Sequence, residues 1–346
     1  MRLKVFAILL TLIGLVAHGQ AAEKKPILTL MTHDSFAVGE EVLAQFEQQH
    51  GVTLKIIKSG DAGAALNQAI LSKANPLADV FFGVDNTFMS RALKAGIFMA
   101  YASPLLEQIP DELKLDPHDR LLPVSYGDVC LNYDRQWFSD KGMDPPRDLD
   151  DLMKPALKSL VVVQNPATSS PGMAFLLATV GRYGEAGYVN FWQQLRANDA
   201  YIANGWTDAY YGQFTRAKGG TRPIVVSYAS SPPAEVFYSE TKLDDAPTAA
   251  VLGSQTAFRQ IEFVGILTGT RQPELAARLV DFMLDSRFQK EIPLHMWVFP
   301  ANRTVPLPDV FVKYTRKAND PIMLTPETIE AGRERWLEVW TETVLR

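Results

Sequence analysis

The chain has 346 residues and 47% hydrophobic content, enough for two lobes that each bury a core. Its 34 Lys and Arg against 39 Asp and Glu give a formal charge of −5, and no Lys/Arg-dense run supplies the basic stripe that phosphate-backbone binding uses, so nucleic acid is not expected as a partner. The single cysteine, Cys130, excludes a disulfide framework, a CxxC redox pair, and zinc-finger or iron–sulfur ligation by several cysteines.

Arg2 and Lys4 precede an apolar run over residues 5–16, the length of a signal-peptide core and too short to span a bilayer. Gly19, Ala21 and Ala22 offer cleavage sites, with Gly19-Gln20-Ala21 fitting the small-x-small rule best. Residues 1–21 therefore read as a signal peptide, the alternative being an uncleaved anchor, and the mature protein is expected in a periplasm. No cysteine stands at the cleavage site to take a lipid. Cys130 lies in the alternating segment Asp128-Val129-Cys130-Leu131-Asn132-Tyr133, where a core strand residue is expected and a reactive thiolate would lack an electropositive neighbourhood.

From there strands and helices alternate. Residues 27–31 read as a strand, 39–49 as a helix with Val42, Leu43 and Phe46 on one face, and 53–57 as a second strand. Ala65, Leu66, Ala69 and Ile70 mark another helical face, and 79–82 a buried strand, which together predict an open α/β sheet. The pattern restarts with a strand at 159–163, helices at 173–183, 187–198 and 207–217, and a strand at 223–227. Residues 121–134 and 257–268 are long, extended and rich in β-branched and aromatic side chains, and are expected to cross between lobes. A helix follows over 273–284, and Thr325 and Pro326 open a terminal helix as N-cap and first helical residue. The expected division is a first lobe over 26–124, completed by about 262–300, a second over 127–258, and C-terminal helices within 305–346 packing against both.

Two such lobes make a clamp, and in open α/β sheets ligands lie beyond the carboxyl ends of the strands. The strand-end loops there are Thr32-His33-Asp34-Ser35-Phe36, Ser59-Gly60-Asp61-Ala62-Gly63, Gly83-Val84-Asp85-Asn86 and Asn165-Pro166-Ala167-Thr168-Ser169-Ser170-Pro171-Gly172. The last is a hydroxyl-rich turn entering a helix, suited to a phosphate or carboxylate, unless Ser169 or Ser170 is simply an N-cap. Asp61 carries the same two readings, N-cap or carboxylate aimed at the cleft. Trp206, in Asn204-Gly205-Trp206-Thr207-Asp208-Ala209-Tyr210-Tyr211, and Trp297, in Met296-Trp297-Val298-Phe299-Pro300, sit beside Gly or Pro and suit stacking or cation–π contact rather than a core role.

In this order the runs Asp34-Ser35-Phe36, Ala78-Asp79-Val80-Phe81-Phe82-Gly83-Val84-Asp85-Asn86, Asn165 to Gly172, Gly205-Trp206-Thr207-Asp208-Ala209-Tyr210 and Ser227-Tyr228-Ala229-Ser230-Ser231-Pro232 resemble the periplasmic thiamine-binding proteins of ABC importers. The Ser-Ser-Pro-Gly turn together with Gly-Trp and Ser-Tyr-x-Ser-Ser-Pro is the specific part. The resemblance implies a type II-like two-lobed periplasmic binding protein. It implies ligand contacts from Asp61 and Ala62 in the first lobe, and from Ser169, Ser170, Trp206, Tyr228, Ala229, Ser230 and Ser231 in the second, with Trp297 as a further wall; His33 and Asp85 are weaker candidates. The implied ligand is thiamine or its mono- or diphosphate, the implied partners are the permease subunits at the inner membrane, and a monomer is expected. His33 replaces the tyrosine that similar proteins carry before Asp-Ser-Phe, a tryptophan a few residues on is missing, and no aromatic stands at Ala234 or Glu235.

The alternative is a ferric-ion-binding protein of the same architecture, for which His33, Asp85, Tyr210 and Tyr211 are the candidate ligands. The tandem tyrosine expected after the strand ending at Ser227 is however Tyr228-Ala229, with one phenol. An enzyme would need a nucleophile–base pair or a metal triad, which the five histidines do not form in sequence. No resident metal or cofactor is expected, and the lobes are expected to close about the two crossings.

Overall fold

The computed structural model describes residues 25–346, so the expected signal peptide lies outside the described residues. The first lobe is built from β1 (Ile27–Thr32), α1 (Glu40–His50), β2 (Thr53–Lys58), α2 (Ala62–Leu71), β3 (Val80–Asp85) and α3 (Met89–Ala95), followed by the two-residue β4 (Phe98–Met99). Every residue of β3 is buried, as its unbroken apolar run requires of a central parallel strand. β5 (Leu122–Asp134) then leads into α4 (Arg135–Lys141), β6 (Val161–Gln164), α5 (Ser170–Ala197), β7 (Tyr201–Ala203), β8 (Ile224–Tyr228) and β9 (Thr248–Val251). β10 (Phe258–Leu267) returns to the first lobe, and β11 (Phe299–Pro300) adds a short pairing to β5.

The strands form one continuous sheet in the order β2-β1-β3-β10-β5-β8-β6-β7. β2, β1 and β3 are parallel on one side, β8, β6 and β7 on the other, and antiparallel β10 and β5 join them. The two segments expected to cross between lobes are these joining strands, hydrogen-bonded to each other from Phe258–Val129 to Val264–Leu122. Two register shifts interrupt β10: one between Glu262 and Phe263 against β5, one between Phe263 and Val264 against β3.

The helices expected at 173–183 and 187–198 both stand within the run from Ser170 to Ala197, separated by a kink at Gly184, whose φ of 68° and ψ of 177° are open to glycine. One expected helix differs from the structure. The helix expected over 207–217 is a single turn, Trp206–Asp208, and a π-helical turn, Ala209–Gln213. It stops because Gly219-Gly220 folds the chain back onto Phe214, which bridges to Arg222 instead of extending the helix. Cys130 is fully buried, and burial pushes its thiol well above the ordinary range. The terminal helix Pro326–Val344, capped by Thr325, packs on α5 and α3, with Trp340 edge-on to Trp192 at 5.6 Å. Among the described residues no helix is long and apolar enough to cross a membrane.

Candidate ligand-binding site

Between the lobes, at the carboxyl ends of β1, β2 and β8, lies a cleft of about 330 Å³. Asp61 ends the β2–α2 loop at its edge. As N-cap of α2 it accepts from the Ala62 amide (2.7 Å), and the same carboxylate reaches across the cleft to the amides of Ser170 (3.3 Å) and Trp206 (2.9 Å). Both sequence readings of Asp61 therefore hold at once: it caps its own helix and grips two loops of the opposite lobe. Beside it the Gly63 amide donates to Thr168 O at 3.1 Å, an approach that a Cβ at Gly63, 2.8 Å from that oxygen, would block.

The far wall is aromatic. Trp206 donates its indole N–H to Ser227 Oγ (2.9 Å), stacks on Tyr210 at 5.0 Å and 19°, and meets Tyr211 edge-on at 5.3 Å. Tyr210 in turn donates its hydroxyl to Glu235 (2.8 Å). Tyr228, Ser231 and Ala234 continue this wall, and Trp297 closes the end of the cleft with Phe237 and Tyr238 against it at 5.4 and 5.6 Å. Trp297 adopts a φ of 56°, strained for a bulky side chain, and is held there by its amide bond to Ile292 O (3.1 Å) and by Ser230 Oγ, which donates to its carbonyl (2.6 Å).

The near wall and floor are ionic. His33 Nε2 lies 3.3 Å from Glu262 Oε1, and Ser125 donates to Glu262 Oε2 (2.7 Å). Burial alone would lower the His33 pKa, but Glu262, then Asp61 and Asp34, outweigh it and hold the imidazole above its ordinary value. Burial works the other way on Glu262, yet His33 and Ser125 keep its carboxyl below the usual range. Asp34 and Lys58 line the rim, Lys58 donating to the Asp34 carbonyl (3.0 Å), and Lys58 is the one permanently positive side chain among the described lining residues.

Of the residues singled out in the sequence, His33, Asp61, Ala62, Ser170, Trp206, Tyr228, Ser231 and Trp297 line the cleft. Four do not. Ser169 is fully buried, its hydroxyl makes no bond, and it caps nothing. Ala229 packs with Cys130 and Ala257 behind the wall, and Ser230 is spent on the Trp297 carbonyl. Asp85 is wholly buried beneath the cleft, where it accepts from the Thr87 amide and hydroxyl, the Phe88 amide, Ser170 Oγ and Gln260 Nε2. Burial pushes the Asp85 pKa up to about 6 against the pull of the Ser170, Thr87 and Gln260 bonds. In the serine turn expected to receive an anion, Ser170 lines the cleft, with its hydroxyl turned to Asp85 and its amide facing Asp61. The four candidate iron ligands also diverge, with Asp85 below the floor, His33 on Glu262, Tyr210 on Glu235, and Tyr211 62% exposed at the rim.

Sequence reasoning missed Glu262, Lys58 and the cleft-facing side of Tyr210. Glu262 left a signal, a carboxylate inside the apolar run Ile261-Glu262-Phe263-Val264 of a strand buried on both faces.

Comparison with known proteins agrees with this architecture. The profile of the family described as bacterial extracellular solute-binding protein matches residues 75–320. The thiamine-binding periplasmic protein of Escherichia coli (strain K12) is 32% identical over 327 residues, covering 93% of this chain and 94% of the relative. A solved structure described as a periplasmic thiamin binding protein superposes with a TM-score of 0.82 at 29% identity, covering 93% of this chain and 97% of the other. Iron-bound HitA from Pseudomonas aeruginosa, at TM-score 0.73 and 19% identity over 92% of this chain and 99% of that one, shares the fold alone. The chain belongs to the family of bacterial extracellular solute-binding proteins.

Proposed function

We propose that the protein captures thiamine in the periplasm and delivers it to the permease of an ABC importer, by closure of the two lobes and without covalent chemistry. The observation that carries this reading is the cleft itself, which aromatic side chains from Trp206, Tyr228 and Trp297 line together with a partly buried carboxylate, Glu262. Thiamine is a flat aminopyrimidine joined to a permanently cationic thiazolium, so it offers one ring to stack and one charge to neutralise. The 32% identity to a protein named for thiamine binding, over nearly the whole chain, supports the same ligand.

Phosphate esters are the weaker ligands on this reading. A phosphate at the start of α5 would compete with Asp61 for the Ser170 amide and would find a single permanent cation, Lys58, at the rim. The iron reading has no converging set of ligands to support it. Titration of the purified protein with thiamine, thiamine diphosphate and Fe³⁺, followed by tryptophan fluorescence, tests all three. Saturable quenching by thiamine, weaker response to the diphosphate and none to Fe³⁺ are expected. Absence of saturable thiamine binding would sink the proposal.

A further inference from the structure

We propose that Glu262 is the specificity-determining residue for ligand charge, its carboxylate on the floor of the cleft facing the cationic ring of the ligand. The inference rests on the thiamine reading and adds to it the group that senses the positive charge.

Other carboxylates near the cleft are committed elsewhere. Asp61 faces three backbone amides, two of them at the starts of α2 and α5, so its charge is spent on helix termini. Asp34 accepts from the Gly60 amide (2.9 Å) at the solvent rim. Asp85 lies below the floor among five donors, and Glu235 is turned to Tyr210 and Arg216. Glu262 is different. It is partly buried, with 13% of its side chain exposed, it lines the cleft, and its one basic partner among the described residues is an imidazole.

A contrast within the same strand sharpens the point. Three residues earlier on β10, Arg259 grips buried Asp128 through Nε and Nη2, a fully compensated pair. A carboxylate that served only to hold the strands together would be matched in the same way. Glu262 instead has His33, which leaves a net negative charge in a low-dielectric site whenever the imidazole is neutral. The two register shifts immediately after Glu262 break the strand's regular pleat on both sides, the kind of irregularity that re-aims a side chain toward a site.

The groups that face His33 are Glu262 on β10, Asp61 at the start of α2, Asp34 on its own loop, Lys58 at the end of β2 and Tyr228 on β8, with Asp85 beneath. His33 loses its charge as pH rises through its raised value, above 6.5, whereas burial pushes Asp85 up only to about 6.

The test pairs thiamine with a neutral analogue in which a thiophene replaces the thiazolium, both measured by calorimetry. Glu262→Gln should weaken thiamine about tenfold or more and leave the neutral analogue within about twofold, the pattern of a lost charge contact. Equal loss of both ligands, or loss of neither, would overturn the assignment. A second measurement needs no change at Glu262. In the wild-type protein the ratio of thiamine affinity to analogue affinity should rise severalfold as pH is raised from below 6.5 through the raised His33 value, where the imidazole loses its proton, and in His33→Gln it should stay flat. A flat wild-type ratio counts against Glu262. Wild-type protein that binds neither compound would instead overturn the thiamine reading.

Discussion

The wall of the cleft formed around β8 and the wall formed by β1, β2 and β10 are fixed by opposite means. On the β8 side the aromatic rings are pinned at their polar edges, Trp206 through its indole N–H to Ser227 and Tyr210 through its hydroxyl to Glu235, and stacked on each other, with both lining the cleft. On the other side the charged groups are pinned by one another and by backbone amides, as Glu262 is by His33 and Ser125, and Asp61 by Ala62, Ser170 and Trp206. The first arrangement supplies mainly contact area, with only the modest preference of a ring face for a cation. The second supplies sign, which is indifferent to ring shape. Affinity and selectivity are therefore separable by mutation.

The largest effect is expected on the aromatic side. Trp206→Ala should cost about 2–4 kcal/mol in thiamine binding, read by calorimetry, with the neutral analogue losing as much. A loss confined to thiamine would mean that the wall also reads charge and would break the division.

Asp61→Asn comes next. Its amide keeps one acceptor oxygen for three N–H donors and presents an NH₂ to one of them, so a stability loss of about 1–3 kcal/mol is expected by thermal melting, together with weaker thiamine binding. Unchanged affinity at lowered stability would reduce Asp61 to a helix cap.

Ser170→Ala tests the anion reading of the serine turn. It removes one donor from buried Asp85 and should cost about 1–2 kcal/mol of stability while leaving the thiamine-to-diphosphate affinity ratio unchanged. Selective loss of the diphosphate would restore the serine as a phosphate contact. Ser169→Ala, whose hydroxyl has no partner, should stay within about 0.5 kcal/mol.

The smallest effect concerns pH. The His33 pKa is raised above 6.5, so the stabilisation from its pairing is complete below that value and is lost as pH rises through the raised one. The Glu262 pKa is lowered below 4.5, so its share is lost as pH falls through the lowered value. The pair is strongest between the two. The stability gap between wild type and His33→Gln should therefore close as pH rises from below 6.5 through the raised His33 value. A gap that widens with pH would show that the imidazole is not held protonated by Glu262.

Much of the frame was legible because its strands are buried on both faces and read as apolar runs: β1, β3, β6 and β8 stand within two or three residues of their expected bounds. The two crossings were legible for the same reason, although nothing in their composition says that they pair with each other. Short elements such as β4, β9 and β11 carry too few residues for a period. At the site, Trp206 and Asp61 were legible from loop position, since a Gly-Trp turn and an Asp before a helix each announce a local geometry. The Ser170–Asp85 bond was not legible, because a hydroxyl-rich turn looks the same in sequence whether or not its hydroxyl meets a buried carboxylate from 85 residues away. Glu262 was passed over because its meaning depends on His33, which reaches it only through the fold.

The broken register in β10 bears on mechanics. A sheet that runs unbroken through both lobes behaves as a torsion spring, and twisting it anywhere along a regular ladder strains hydrogen bonds on two sides. At Glu262, Phe263 and Val264 the ladder is already interrupted toward both β5 and β3, so this short stretch is the compliant point of the spring. If the lobes close on ligand as proposed, their rotation would be taken up beneath the floor of the cleft. The strand that yields and the carboxylate that faces the cleft are the same few residues, so ligand charge and lobe angle act on one mechanical element.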